Sequence, residues 1–448
     1  MPASGVVSNV CGNADVEGRQ GPMTDWSAEQ VLALAPDASS AKAARALATP
    51  SPWRETGHSA EPFTLWGLCQ GSGREPYQTG VDLAEPAYRC SCPSRKFPCK
   101  HALALMLLWS AGRIPPGEPP DWVTDWLATR TDRKEKATVR KPGVADPRTA
   151  QRRAERVAAG VEELDRWLSD QVRQGIASQT GYEHWDTMAA RLVDAQAPGL
   201  ASSVRRLAYT AGTPDRLLTE LSLIRLLVAG YRRGGELPTD LAATIRTRVG
   251  FPVATDDVLA RERVRDDWAV VAMRDEGDDR LTVRRCWLHG RRTGRPALVL
   301  SFAAPGQSLP ADLLLGTTVD ADLCYYPGVL PMRALVAARH AAPVPYERPP
   351  GAGSIARALD GYGRAVAAEP WLERWPVILA DVVPVRQGAD RWFVRDGAGD
   401  ALRIDPAAGP PWRFVAAAGG EPAVVAAELT ANGVRPLTIW TGGRLVLA

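Results

Sequence analysis

The period of apolar and polar positions changes several times along the chain, and each change predicts a different kind of structure. Between Asp25 and Ala48 the pattern fits two short helices. Ser27 caps the first, which carries Val31, Leu32 and Leu34, and Ser39 or Ser40 caps an alanine-rich second. Phe63 to Gln70 then alternates, Gly71-Ser72-Gly73 turns, and Tyr77 to Leu83 returns, which reads as a β-hairpin. Val81 to Ser91 stays extended, and from Ala102 to Trp109 the chain is apolar nearly all round until Gly112 stops it. A helix with no polar face must be buried on every side. After the break at Pro115 to Pro120, a short helix brings Trp122, Trp126 and Leu127 to one face, placed to pack on the preceding segment.

Thr131 to Pro147 is charged and poor in apolar residues and reads as a linker. Beyond Arg148 the period is helical. Val157, Val161, Leu164, Trp167, Leu168 and Val172 make one stripe, and helices follow around Trp185 to Asp194, Ala201 to Tyr209, Thr213 to Tyr231 and Leu241 to Val249. Around Asp266 alternation returns, with strands at Trp268 to Met273, Leu281 to His289, Pro296 to Phe302 and Thr317 to Tyr325. The C-terminal part reads as strands at Val377 to Val385, Trp392 to Arg395, Ala401 to Ile404, Trp412 to Ala416 and Leu437 to Leu447, with a helix at Ala423 to Ala431. Its tryptophans, Trp371, Trp375, Trp392, Trp412 and Trp440, are assigned to core packing ahead of base stacking.

These elements predict a multidomain α+β protein. Residues 1–22 form a disordered N-terminus, 23–130 an N-terminal unit, 131–147 a basic linker, 148–260 a helical region and 261–448 a strand-rich α+β region. A length of 448 residues supports several cores, and 45% hydrophobic with 23% charged residues fits a soluble, globular, cytoplasmic chain. The longest apolar run is too short to span a bilayer. A net charge of +3 does not by itself announce a nucleic-acid partner, although arginines and lysines outnumber acids between Arg130 and Arg156.

Candidate chemistry gathers just before the all-apolar helix. Three of the seven cysteines and one of the five histidines fall as Cys90-x-Cys92, six intervening residues, then Cys99-x-His101. On an extended chain Cys90 and Cys92 point to the same side, while Pro98 places Cys99 and His101 at a helix start. The helix terminus and the nearby Arg95, Lys96 and Lys100 favour thiolates there. Three sulfurs and an imidazole close a tetrahedral set around one structural Zn²⁺, with no position open for a catalytic water. Cys69 is assigned to hairpin core, and Cys286 and His289 fall on opposite faces of one strand. Gly351-Ala352-Gly353-Ser354 lacks the lysine ending of a phosphate loop and reads as a helix cap. No catalytic spacing was found, so the protein is expected not to be an enzyme.

The segment Pro98-Cys99-Lys100-His101-Ala102-Leu103-Ala104-Leu105, with Cys90 and Cys92 before it, closely resembles the SWIM zinc finger over roughly residues 60–112. The resemblance implies a ββα zinc module for which both protein interaction and DNA binding have been proposed. It also implies an adaptor role beside a MoxR-type AAA+ ATPase or a von Willebrand A-domain protein. Two functions are therefore expected: a non-catalytic protein-interaction adaptor, or a DNA- or RNA-binding protein whose footprint is Arg95, Lys96, Lys100 and the basic linker.

Overall fold

The computed structural model describes residues 26–448 apart from 72, 95, 140–146, 176–181, 211–212, 278–280, 305–306 and 308. Residues 1–22, expected to be disordered, lie outside that range. The architecture is mixed α+β, with antiparallel sheets on either side of a helical segment. Among the described residues no helix is long and apolar enough to cross a membrane.

The N-terminal unit is a four-stranded meander, β1 (Trp53–Ala60), β2 (Phe63–Cys69), β3 (Tyr77–Asp82) and β4 (Ala87–Cys90), backed by three helices. These are α1 (Ala28–Ala33), α2 (Ala38–Leu47) and α3 (Lys100–Ser110). Sequence reading missed β1, because a bulge between Arg54 and Gly57, with Glu55 at φ 49°, breaks its alternation. It also ran β3 and β4 together, since the turn between them at residues 83–86 contains Leu83, itself a core residue. The cap of α2 is Asp37, whose Oδ1 accepts from Ser40 N at 2.7 Å, and not Ser39 or Ser40. Helix α3 is buried from His101 to Trp109. Around it pack the sheet, Val31 of α1, Ala44 of α2 and, from much later in the chain, Leu314.

Helix α4 (Asp121–Val139) runs into the expected linker, its helical backbone continuing through the first nine residues of the 131–147 segment. Arg, Lys and Glu are good helix formers, so poverty in apolar residues there signals the lack of a core stripe and not the lack of a helix. Residues 140–146 fall outside the description. The face of α4 bearing Trp122 and Trp126 lies over Gly80 of β3, and the Arg89 guanidinium sits 5.9 Å from the Trp122 ring.

The helical region comprises α5 (Pro147–Gln174), α6 (Tyr182–Asp194), α7 (Pro198–Arg206), α8 (Pro214–Arg233) and α9 (Thr239–Val249), followed by the short α10 (Thr255–Leu259). The predicted stripe of Val157, Val161, Leu164 and Leu168 meets Trp185, Leu200, Leu221 and Val249 in one core, with Trp167 packed against it. Val172 is the exception, 60% exposed near the end of α5. Trp371 anchors the region to the C-terminal part by donating from Nε1 to Leu223 O at 2.8 Å.

The rest forms two sheets with the same connectivity. In the first, β5 (Arg263–Gly277), β6 (Thr282–Gly290) and β7 (Pro296–Ala303) make a meander. Strand β8 (Thr317–Tyr325) returns to pair with β5, and β9 (Ala334–Arg339) pairs with β8. A parallel bridge from Leu298 to Arg333 brings β7 against the start of β9 and curls the sheet into a partly open barrel. Its inward residues, among them Trp268, Val270, Cys286, Leu288 and Leu323, form one core. The two-residue β10 (Val344–Pro345) adds to the outside of β8, and helix α11 (Ile355–Ala368) follows, capped by Ser354 as expected.

In the second sheet β11 (Trp375–Gln387), β12 (Arg391–Arg395) and β13 (Ala401–Arg403) again make a meander, then comes α12 (Trp412–Ala418). Strand β14 (Ala423–Thr430) returns beside β11, and β15 (Gly433–Thr441) pairs with β14, with β16 (Arg444–Leu447) at the edge. A parallel bridge from Ile404 to Val434 closes this curl as well.

Two C-terminal expectations are overturned here. Trp412–Ala416 is helix: Pro410 and Pro411 lead into α12, Gly419 ends it in the left-handed region at φ 58°, and Phe414 fills the barrel core. Ala423–Ala431, expected to be helical, is the central strand β14. Val425, Ala427 and Leu429 point into its own barrel, while Val424 and Ala426 point at Ala269, Val271, Trp287 and Leu298 of the other. With both faces apolar the two-residue alternation disappears, and an alanine-rich strand is indistinguishable from a helix by pattern.

Glu428 on β14 is buried between the barrels. It accepts from Trp287 Nε1 at 2.8 Å and from an Arg374 guanidinium nitrogen at 3.3 Å, with Arg285 Nε at 3.6 Å. Glu428→Ala leaves the Arg285 guanidinium and the Trp287 indole N–H without their acceptor, and leaves Arg374 with Glu276 alone. It is expected to cost about 3–5 kcal/mol in a denaturant melt, and Glu428→Gln, which keeps an acceptor for Trp287, is expected to cost less.

Candidate metal centre

Each potential ligand is placed by a different local device. Cys90 is the last residue of β4, held by the β3 ladder through its pairing with Thr79. Cys92 lies beyond the strand end, so the pair does not share a continuous strand face as the spacing implied. Ser91 extends the pairing instead, with its N–H donating to Gln78 O at 3.0 Å. Cys99 is the N-cap of α3, and His101 is in its first turn. The ligand atoms of Cys90, Cys92, Cys99 and His101 all lie within 4.8 Å of one another, and His101 Nδ1 is 3.6 Å from Cys90 Sγ. Cys99 and His101 are buried, while the two knuckle cysteines are half-buried.

The electrostatics fit a cation. The Cys99 thiol is held below its ordinary value by its hydrogen bond with Cys90 and, less strongly, by backbone N–H groups of the first helical turn. Cys90 is pushed up to about 12, first by that same bond with Cys99 and then by burial. Burial also raises Cys92. Three sulfurs this close cannot all ionise in a half-buried site without a positive ion among them, and a divalent metal supplies that charge. Cys69, buried and raised to about 11 by desolvation, belongs to the core beside the site and not to the set of four.

Two neighbours escaped sequence reading. Thr79 Oγ1 lies 3.3 Å from Cys90 Sγ, and its hydroxyl donates to that sulfur once it is a thiolate. The Tyr77 ring lies 5.0 Å from the His101 ring and covers the imidazole. Both are signalled only by hairpin register, which pairs Thr79 with Cys90. Of the three cations expected to touch a partner, Lys96 is paired with Asp37 at 2.6 Å and Lys100 is exposed. Arg95 lies outside the described residues.

Comparison with known proteins gives this geometry a family. Residues 81–109 match the SWIM zinc finger, and residues 152–249 match the SWIM-associated four-helix bundle domain. The chain carries a SWIM zinc finger and the helical domain associated with it. No curated protein and no solved structure matches it. The SWIM finger is a zinc-binding module, and Cys90, Cys92, Cys99 and His101 are what this chain offers the ion. The second match was not anticipated, and it covers the helices from α5 to α9.

Cys99→Ala and His101→Ala are each expected to abolish zinc uptake and melt the N-terminal unit, read by metal content and by proteolysis within residues 26–139, while the α5–α9 core stays protected. Retention of one zinc with an unchanged N-terminal melt contradicts this assignment. Thr79→Val is expected to keep the fold but weaken zinc affinity by about 10- to 100-fold in a chelator competition.

Proposed function

We infer that the protein is a non-catalytic, zinc-stabilised adaptor that binds a protein partner. The observation that carries this reading is the burial of α3. In a finger that reads DNA, a helix enters the groove with its side chains free, whereas here His101 to Trp109 are all enclosed. Lys96 is already engaged by Asp37, which reduces the cationic footprint expected of a nucleic-acid-binding finger. Beside the metal centre a crevice of about 270 Å³ separates the finger from the first barrel. Leu34, Phe97, Met273, Leu315 and Leu447 line it, a mainly apolar notch suited to a side chain from a partner. The partner class is the one the SWIM resemblance implies, a MoxR-type ATPase or a von Willebrand A-domain protein, by analogy alone.

Full-length protein mixed with such a partner at physiological salt is expected to elute as a stoichiometric complex in size-exclusion chromatography with light scattering, and Leu34→Glu is expected to weaken that complex. The reading fails if the finger instead binds DNA or RNA with an affinity that drops steeply with salt and disappears on charge reversal of Lys96 and Lys100.

A further inference from the structure

The shared connectivity of the two C-terminal barrels is that of the OB-fold. Three strands form a meander, the fourth returns beside the first, and the fifth runs antiparallel to the fourth and parallel to the third. In the second barrel the helix between strands three and four is present as well, as α12. Barrels of this kind take oligonucleotides or oligosaccharides across the outer face of strands two and three. In the first barrel that face is covered, since Trp287 and Leu298 pack on Val424, Ala426, Leu437 and Trp440 of its neighbour. In the second it is open.

Alternation along β12 puts Arg391, Phe393 and Arg395 on that outer face, opposite the inward Val394. Register adds Arg403 of β13 directly beside Phe393, with Val385 of β11 on its other side. Arg391, Arg395 and Arg403 are exposed and Phe393 is half-buried. Among the described residues no carboxylate oxygen lies within ion-pair distance of these three guanidinium groups. Other arginines of the same barrel are spoken for, Arg435 by Asp405 at 2.8 Å and Arg374 by Glu276 at 2.8 Å.

An aromatic ring flanked by unpaired cations on a strand face suits a chain of stacked bases joined by phosphates. A neutral oligosaccharide would leave the three charges without partners. We propose that the outer face of β11, β12 and β13 binds single-stranded nucleic acid, with Phe393 as a base platform and Arg391, Arg395 and Arg403 on the phosphates. This surface is separate from the metal centre and from the crevice beside it, so the adaptor reading and this one stand or fall independently.

The test is fluorescence anisotropy of full-length zinc-loaded protein with a labelled oligothymidylate of roughly 20 nucleotides, longer than one such site needs. Binding is expected at low salt, with log affinity falling against log salt at a slope of about −2, the value for three phosphate contacts on a single strand. Phe393→Ala is expected to weaken binding by about tenfold. The triple variant Arg391→Glu, Arg395→Glu, Arg403→Glu is expected to abolish it with an unchanged thermal melt. If that variant fails to fold, the corresponding triple glutamine variant is expected to lose the salt slope. The proposal is overturned if the wild type does not bind at low salt, if the charge-reversed or neutralised protein binds as before, if duplex DNA binds as tightly as the single strand, or if a neutral oligosaccharide displaces the probe.

Discussion

A helix that is apolar all round cannot sit on a surface, and the N-terminal unit is arranged to satisfy that constraint for α3. The four-stranded sheet covers one side, α1 and α2 another, and Leu314 reaches in from the far end of the chain to close the remainder. Apolar packing is non-directional and does not by itself fix where the end of β4 meets the helix. The cluster of Cys90, Cys92, Cys99 and His101 supplies the missing tie, joining the end of β4 to the first turn of α3 at the point where the chain reverses. Zinc here is a fastener for the helix, held by a closed set of four ligands.

Enclosing α3 also decides what the finger can do. With its helix inside, the module presents other surfaces, among them the Lys96–Asp37 pair and the crevice shared with the first barrel. Further along, the two barrels are locked together through Glu428 and an apolar seam, and one outer face of the second is left free with unpaired arginines.

How much of this was legible in the sequence depended on whether a segment had one apolar face or two. The stripe of α5, the hairpin of β2 and β3 and the ligand spacing of Cys99 and His101 each leave a period or a spacing that survives in the one-dimensional pattern. Strand β14 does not, because both of its faces are buried and its alanines hide the alternation. The helical continuation of α4 past Thr131 was obscured for the opposite reason, since a helix with no core stripe looks like a linker. Thr79 and Tyr77 beside the metal centre were invisible because only strand register brings them there. The barrel connectivity is a property of pairing, which no local pattern carries.

The central claim is that one zinc ion is held by three sulfurs and one imidazole nitrogen. X-ray absorption at the zinc edge on purified full-length protein tests it most directly. Four-coordinate zinc is expected, with three Zn–S distances of about 2.3 Å and one Zn–N distance of about 2.0 Å. A six-coordinate shell, fewer than three sulfurs, or an exchangeable water in place of the imidazole would contradict it.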